Sequence, residues 1–563
     1  MHLLATALFA AVPILVIKGV LSLRHQRLVR YKDFPQLKPS VIWGHLAAVG
    51  EEMNKVLKDT QWDTIAGNMF KSIGNPPLLL LDLRPLNFPM AIIADHELAE
   101  QVSRASKLFP YSVPKSSNMS YIDPLVGHHS LVSIQGDHWR ALRRRFNPGF
   151  APQYLLNLLP GIIEKIPPFL AHLDRLASTE EAAELGTYTT SLTFDVIGMT
   201  TMDKDLSAQK PRGERSELIN LYGDLLDSYN ALEDSPVANW LIHPITVYQQ
   251  KQMGKKIDLL IKDVVRAKHA EIAADASRAS RSVLSLSLQD VADLTPDVLQ
   301  QTCDSMKTFL FAGHDTASIV LQWSFYELER SPRAAAALCA ELDALFGPDP
   351  DPEVVMGVLR ERGDEVLSKM TYATAFIKEI LRLYPPGGSA RHSPPGSGFF
   401  VTTADGKSYC LDGMMIYLCA TLIQRDPAVY GPTADEFIPE RWLGDVDGGA
   451  GPDGEREKTG SGGGSSSIPA SAWRPFERGP RNCIGQELAS IESKIVLACV
   501  ARRYEFIKTG LGAIKRDEAG ERVVEGGKCV TESELYSSRR VTAKPVDGMV
   551  SRVAFKAGAK PRG

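Results

Sequence analysis

The stretch Phe476-Glu-Arg-Gly-Pro-Arg-Asn-Cys-Ile-Gly485 decides how the rest of this 563-residue chain is read. Phe476, Gly479, Arg481, Cys483 and Gly485 form a spacing that average composition produces on the order of once in ten thousand chains of this length. The sequence that follows, GQELASIESKIVLACVARR, has helical periodicity, so Cys483 is expected at a helix N-terminus. There the partial positive charge and free backbone N–H groups favour the thiolate. Gly479 can take the positive φ of a tight loop, and Gly485 lets the backbone approach a flat ligand closely. Arg481 is placed to meet an anionic group. A thiolate in a nest of N–H donors suits the axial position of a ferric haem. The competing reading of Cys483 is a buried structural cysteine, the role expected of Cys303 and Cys499.

Composition narrows the field around this motif. The chain is 44% hydrophobic and 23% charged, which excludes a wholly disordered, collagen-like or coiled-coil protein. With 63 basic against 67 acidic residues, no global charge points to nucleic acid. Seven cysteines, none in a C-x-x-C pair, give little support to a disulfide framework or a zinc ribbon.

Residues Leu3 to Leu23 read LLATALFAAVPILVIKGVLSL, with Lys18 the only charge. As a helix this run rises about 31 Å, the thickness of a hydrocarbon core. Arg24, Arg27, Arg30 and Lys32 follow it, which places the rest of the chain on the cytoplasmic side. A cleaved signal peptide is the alternative, but it lacks a basic start and a clear cleavage site. The chain is therefore divided into an anchor at 1–23, a basic, Pro-rich and fairly stiff hinge at 24–44, and one domain at 45–563. Residues 444–467, GDVDGGAGPDGEREKTGSGGGSSS, read as a flexible insert within it.

Four further motifs stand at readable places. Thr295 and Pro296 start a helical pattern that runs to Arg330, stopped by Pro332, and Ala312-Gly-His-Asp-Thr316 lies in its middle. Gly313 and Thr316 there allow a local opening of the helical ladder. Glu379-Ile-Leu-Arg382 puts two opposite charges on one helix face. Glu327 and Arg330 share that spacing and read as a solvated pair. Pro439-Glu-Arg-Trp442 and Trp139-Arg-Ala-Leu-Arg143 complete the set.

In this order the motifs resemble the cytochrome P450 family of haem-thiolate monooxygenases, most closely its fungal microsomal members. The resemblance implies a mainly α haem domain with a small β-rich lobe, preceded by one N-terminal transmembrane helix. It makes Cys483 the proximal ligand of haem (iron protoporphyrin IX), with Phe476 and Gly485 around it. Arg481, Trp139, Arg143 and Arg391 are implied as propionate contacts. Asp315 and Thr316 are implied as the catalytic proton relay, and Glu379, Arg382 and Arg441 as a buried cluster holding the haem loop. His314 occupies a variable position of the pattern and reads as a packing or channel residue.

The implied activity is O₂-dependent hydroxylation, desaturation or epoxidation of a lipophilic small molecule in secondary metabolism, at the endoplasmic reticulum membrane. The implied partners are NADPH-cytochrome P450 reductase, with cytochrome b5 as an accessory donor, and no nucleic acid. Two rival functions remain open on sequence: a reductase-independent isomerase or dehydratase on the same fold, and a non-catalytic haem-based ligand binder. Pocket walls are expected from 112–135, Phe309 and Leu310, Gly387 to Ala390, and Ser533 to Tyr536. Arg140, Arg144 and Arg145 form a basic face, either simply solvated or a dock for an acidic electron donor. Residues 235–245 either dip into a membrane surface or pack against the core.

Overall fold

The computed structural model describes residues 17–229, 242–275, 281–445 and 468–559. The elements that position the site are β1 (Leu78–Asp82), β2 (Pro89–Ile93), α1 (Gly136–Phe146), α2 (Leu185–Met202), α3 (Glu217–Tyr229), α4 (Pro296–Arg330), α5 (Thr371–Leu383), β3 (Ser389–His392), β4 (Met415–Leu418), α6 (Gln486–Val500), β5 (Tyr504–Lys508) and β6 (Val550–Phe555). Helix α4 is the axis of the molecule. Thr295 Oγ1 accepts from the Val298 N–H to cap it, and Pro296 fills its first turn, as the sequence predicts.

Helix α2 lies along α4. Its residues are buried on nearly every side, so it needs no amphipathic stripe. Hydroxyls join the two helices: Thr189 and Thr190 each lie 2.9 Å from Ser318 Oγ, and Thr193 donates to the His314 carbonyl at 2.8 Å. Gly313 is what lets them approach, because a Cβ there would stand 2.4 Å from Ile197 Cδ1. No local opening of α4 is present. The helix runs unbroken through Thr316, whose hydroxyl donates to the Ala312 carbonyl at 2.7 Å.

The β-rich lobe is a four-stranded sheet in the order β1-β2-β4-β3. Strand β2 pairs antiparallel with β1 and parallel with β4. The continuous run Leu78 to Leu81 is explained by burial on both faces: Leu78 and Leu80 enter one apolar cluster, Leu79 and Leu81 another. A second sheet joins Ala183–Glu184, β6 and β5.

Residues 24–44 differ from the expected hinge. Arg27 is 1% exposed, and its guanidinium donates to Asp82 Oδ2 at 2.9 Å and to the Val41 and Arg84 carbonyls. The segment is thereby tied to the end of β1, because a buried guanidinium demands acceptors on every side. Among the described residues no helix is long and apolar enough to cross a membrane, and residues 1–16 of the expected anchor lie outside them. Residues 230–241 and 446–467 also lie outside them, and with them most of the 235–245 segment and of the insert.

Candidate active site

The loop before α6 is built on one glycine. Gly479 has φ +71°, and a Cβ there would stand 2.2 Å from the Ser103 carbonyl oxygen. A Gly479→Ala change is therefore expected to cost about 1–3 kcal/mol and to displace the loop. Thermal unfolding together with haem retention checks this; an unchanged midpoint contradicts it. Further along, the Cys483 N–H donates to the Phe476 carbonyl at 2.8 Å, closing the turn. Helix α6 begins at Gln486 with Gly485 as N-cap, so the thiol stands just ahead of the helix start.

Cys483 is exposed not to the outer surface but to a cavity of about 370 Å³. One wall comes from Phe150, Ile197 and the α4 residues Thr308, Phe309, Ala312, Gly313, Thr316 and Ala317, with no charged side chain among them. On the other side stand the haem-loop residues with Lys115, Trp139 and Arg143. Burial pushes the Cys483 thiol up, while the Gly485 N–H, Arg143 and Lys115 pull it down; the net shift is upward. Helix position alone thus does not deliver the thiolate expected from sequence. A coordinated metal does, since a ligating thiol is deprotonated outright.

The cations of the cavity fit the rest of a haem. Arg481 lies over the Trp139 ring at 4.6 Å and donates to the carbonyls of Leu131, Val132 and Ile134. Arg143 donates to the carbonyl and side-chain oxygen of Asn482 at 2.9 and 3.0 Å. Burial pushes Arg481 down to about 9 and Lys115 down to about 7. Among the described residues none of these three cations has a carboxylate within 4.0 Å. A group bearing two carboxylates would relieve that excess of buried positive charge. Thiol, cation set and apolar wall all suit haem.

Arg391 is placed elsewhere. It lies outside the cavity lining, held by Ser112 Oγ, the Val113 carbonyl and Glu477 Oε2 at 3.5 Å. Glu477 explains this. It sits one residue after Phe476 with φ +58°, and burial would raise its carboxyl. The cations Arg474, Arg391 and Lys115 more than offset that and hold it at about 2. The sequence reading missed Glu477 and Lys115 as members of this site, although a glutamate inside so regular a loop was a visible signal. It also missed Glu492, two turns into α6. That carboxyl lines the cavity, has no partner for Oε1 among the described residues, and is raised by burial to about 8.

Glu379, Arg382 and Arg441 come together as one network. Arg382 Nε and Nη2 each donate to Glu379 at 2.8 Å, and Arg441 Nε does so at 3.0 Å. The Trp442 indole N–H adds a bond to Oε2 at 2.9 Å, a contact that a phenylalanine cannot make. Arg382 also reaches the carbonyls of Gln424, Ala434 and Glu436, tying α5 to the chain that leads towards the haem loop.

Other expected placements differ. Of the expected pocket walls, Phe309 and Gly387 to Ser389 line the cavity, whereas Leu310, Ala390 and Ser533 to Tyr536 do not. Glu327 is fully buried, accepting from Tyr384 at 2.6 Å and Ser331 at 2.7 Å as well as from Arg330, so this pair is not a solvated one. Arg140 and Arg144 are exposed, but Arg145 turns in to Thr302 Oγ1 at 2.9 Å. His314 is a packing residue, stacked 3.6 Å from the Phe194 ring. A second grouping of possible ligands, Asp258, Cys303 and Asp304, lies away from the cavity. There Lys307 Nζ is 2.7 Å from Asp258 and supplies the local positive charge.

Comparison with known proteins agrees with this geometry. The family model of cytochrome P450 matches residues 68–524. Cytochrome P450 monooxygenase acrF of Aspergillus aculeatus is 31% identical over 488 residues, covering 85% of this chain and 94% of that protein. Cytochrome P450 monooxygenase polC of Polytolypa hystricis is 30% identical over 435 residues, covering 76% of this chain and 73% of that protein. The human cytochrome P450 4V2 is 26% identical over 467 residues, covering 79% of each chain. A haem loop, an apolar-walled cavity and a family match across most of the sequence lead to one conclusion: this chain belongs to the cytochrome P450 family, as an oxidoreductase of the monooxygenase type that uses haem with a cysteine thiolate ligand.

Proposed function

We propose that the protein oxidises a lipophilic small molecule in secondary-metabolite biosynthesis, with Cys483 as the axial ligand. It is held at the endoplasmic reticulum membrane by residues 3–23 and fed electrons from NADPH by a flavoprotein reductase. The observation that carries the substrate class is the cavity wall from Phe150, Ile197 and α4, which is apolar but for the hydroxyls of Thr308 and Thr316. Such a wall desolvates a hydrocarbon skeleton favourably and offers no counter-charge to an ionic one. The likeness to fungal monooxygenases and the apolar N-terminus support the setting.

Bound haem supplies activation of dioxygen and insertion of one of its oxygen atoms into the substrate. The protein's own residues then do four things. Cys483 holds the metal from the loop side, where Gly485 leaves room: a Cβ there would lie 4.0 Å from Sγ. Trp139, Arg143, Arg481 and Lys115 bind the carboxylates of the cofactor. Phe150, Ile197 and Phe309 exclude water and orient the substrate. Thr316 Oγ1 holds a proton on the cavity side of α4, and turning it off the Ala312 carbonyl aims that proton at the site of oxygen activation. Asp315, its neighbour in sequence, replenishes the proton.

Product profiling by mass spectrometry tests this reading, with the chain co-expressed with a reductase and fed a panel of lipophilic candidates. Thr316→Ala is expected to lower product formed per NADPH consumed about tenfold or more, within the range of a lost general acid. Unchanged coupling in that variant defeats the proton role, and absence of any oxidised product defeats the monooxygenase reading.

A further inference from the structure

Asp315 does not line the cavity, although Thr316 beside it does. Its buried carboxylate faces the C-terminal segment: Thr542 Oγ1 donates to Oδ2, and Lys544 Nζ pairs with Oδ1. From its own helix His314 Nε2 stands 3.6 Å from Oδ1, and Tyr222 of α3 faces the same carboxylate. Among these groups only Lys544 brings a positive charge. Burial pushes His314 down to about 4, so its imidazole is neutral at pH 7, and burial pushes the Tyr222 phenol far up. Lys544 is also the one with solvent contact, 27% exposed against 2% for Asp315.

We propose that Lys544 is the positioning residue through which Asp315 exchanges protons with solvent, pairing with the carboxylate at rest and opening it to water when the lysine stem swings outward. The proposal rests on the reading of Asp315 as the source of protons for Thr316. Burial by itself raises the Asp315 carboxyl; Lys544, His314 and Thr542 lower it, and the net shift is downward. The paired acid is thus ionised and turned from the cavity. When the ammonium leaves, desolvation dominates and the carboxylate takes a proton from the water at that opening. The protonated side chain turns towards Thr316, gives up the proton, and returns as carboxylate to Lys544. The lysine stays an ammonium throughout, so each cycle moves one proton and breaks no other bond. A compact charge on a flexible four-carbon stem suits such a gate.

The test compares the full-length, haem-loaded protein with K544M, which keeps the stem without the charge, and with K544R, which keeps the charge. The first readout needs no turnover: the carbonyl stretch of a protonated carboxylic acid at pH 7, assigned to Asp315 by its loss in K544M/D315N. The band is expected in K544M and absent in K544R and in the unchanged protein. The second readout is the ratio of peroxide to water released from O₂ during NADPH oxidation with an added flavoprotein reductase and no substrate. A carboxyl kept neutral is a weaker acid, so this ratio is expected to rise at least threefold in K544M and to stay within twofold in K544R. No band in K544M overturns the pairing. A band with an unchanged ratio overturns the proton-exchange role. An unchanged ratio in D315N itself places the failure in the reading of Asp315, and the proposal falls with it.

Discussion

Replacing Cys483 with alanine is expected to abolish monooxygenase turnover while leaving the polypeptide folded. The thiol stands on the cavity, and its backbone anchoring runs through the Cys483 N–H to the Phe476 carbonyl, which alanine preserves. Little packing is lost, so far-ultraviolet circular dichroism and the unfolding midpoint are expected to stay close to those of the unchanged protein. What disappears is the soft anionic ligand that donates electron density to the iron. The ferrous–CO spectrum reads this directly: the red-shifted Soret band is expected in the parent and missing in Cys483→Ala. Survival of that band removes Cys483 as the ligand, and none of the six other cysteines lines the cavity to take its place.

Glu379→Gln is expected to be the most damaging change outside the cavity. Its two oxygens accept from Arg382, Arg441, the Trp442 indole and the Ile438 N–H, and both Glu379 and Arg382 are fully buried. Glutamine keeps the shape but removes the negative charge and turns donors towards one guanidinium or the other. A buried cation stripped of its counter-charge costs about 3–5 kcal/mol, a large share of the roughly 5–15 kcal/mol that holds a folded domain. In a domain this large that corresponds to a midpoint lower by on the order of 5 °C. The carbonyls gripped by Arg382 lie on the chain leading towards Arg474 and the haem loop, so haem is expected to dissociate faster as well. Thermal unfolding combined with transfer of haem to an acceptor protein checks both effects. A variant matching the parent in both would show that the network does not support the loop.

Much of this site was legible before any fold was known, because its motifs are short and local. A glycine before a turn, a cysteine ahead of a helix and two charges at i, i+3 carry their geometry within a few residues. The extent of α4 was readable for the same reason: Thr295 caps it and Pro332 ends the run. Harder to read were contacts between distant segments. Arg391 was expected at the cofactor, yet Glu477, 86 positions away, draws it aside. Lys115 and Glu492 carry no local pattern that marks them; both matter because folding leaves a charged group facing a cavity. Asp315 was read as pointing inward from its motif, but its orientation is set by Thr542 and Lys544, 227 and 229 positions along the chain.

By itself, then, the sequence determined the family, the haem-loop cysteine and the paired charges of α5, since each depends on residues close enough along the chain for backbone geometry to link them. Only the tertiary structure decided which cations face the cofactor, which way the acid of α4 turns, and how residues 24–44 are tied to β1 through Arg27 and Asp82. Those outcomes follow from the cost of leaving a buried charge unpaired, and the partner that meets it is chosen by packing rather than by position in the chain.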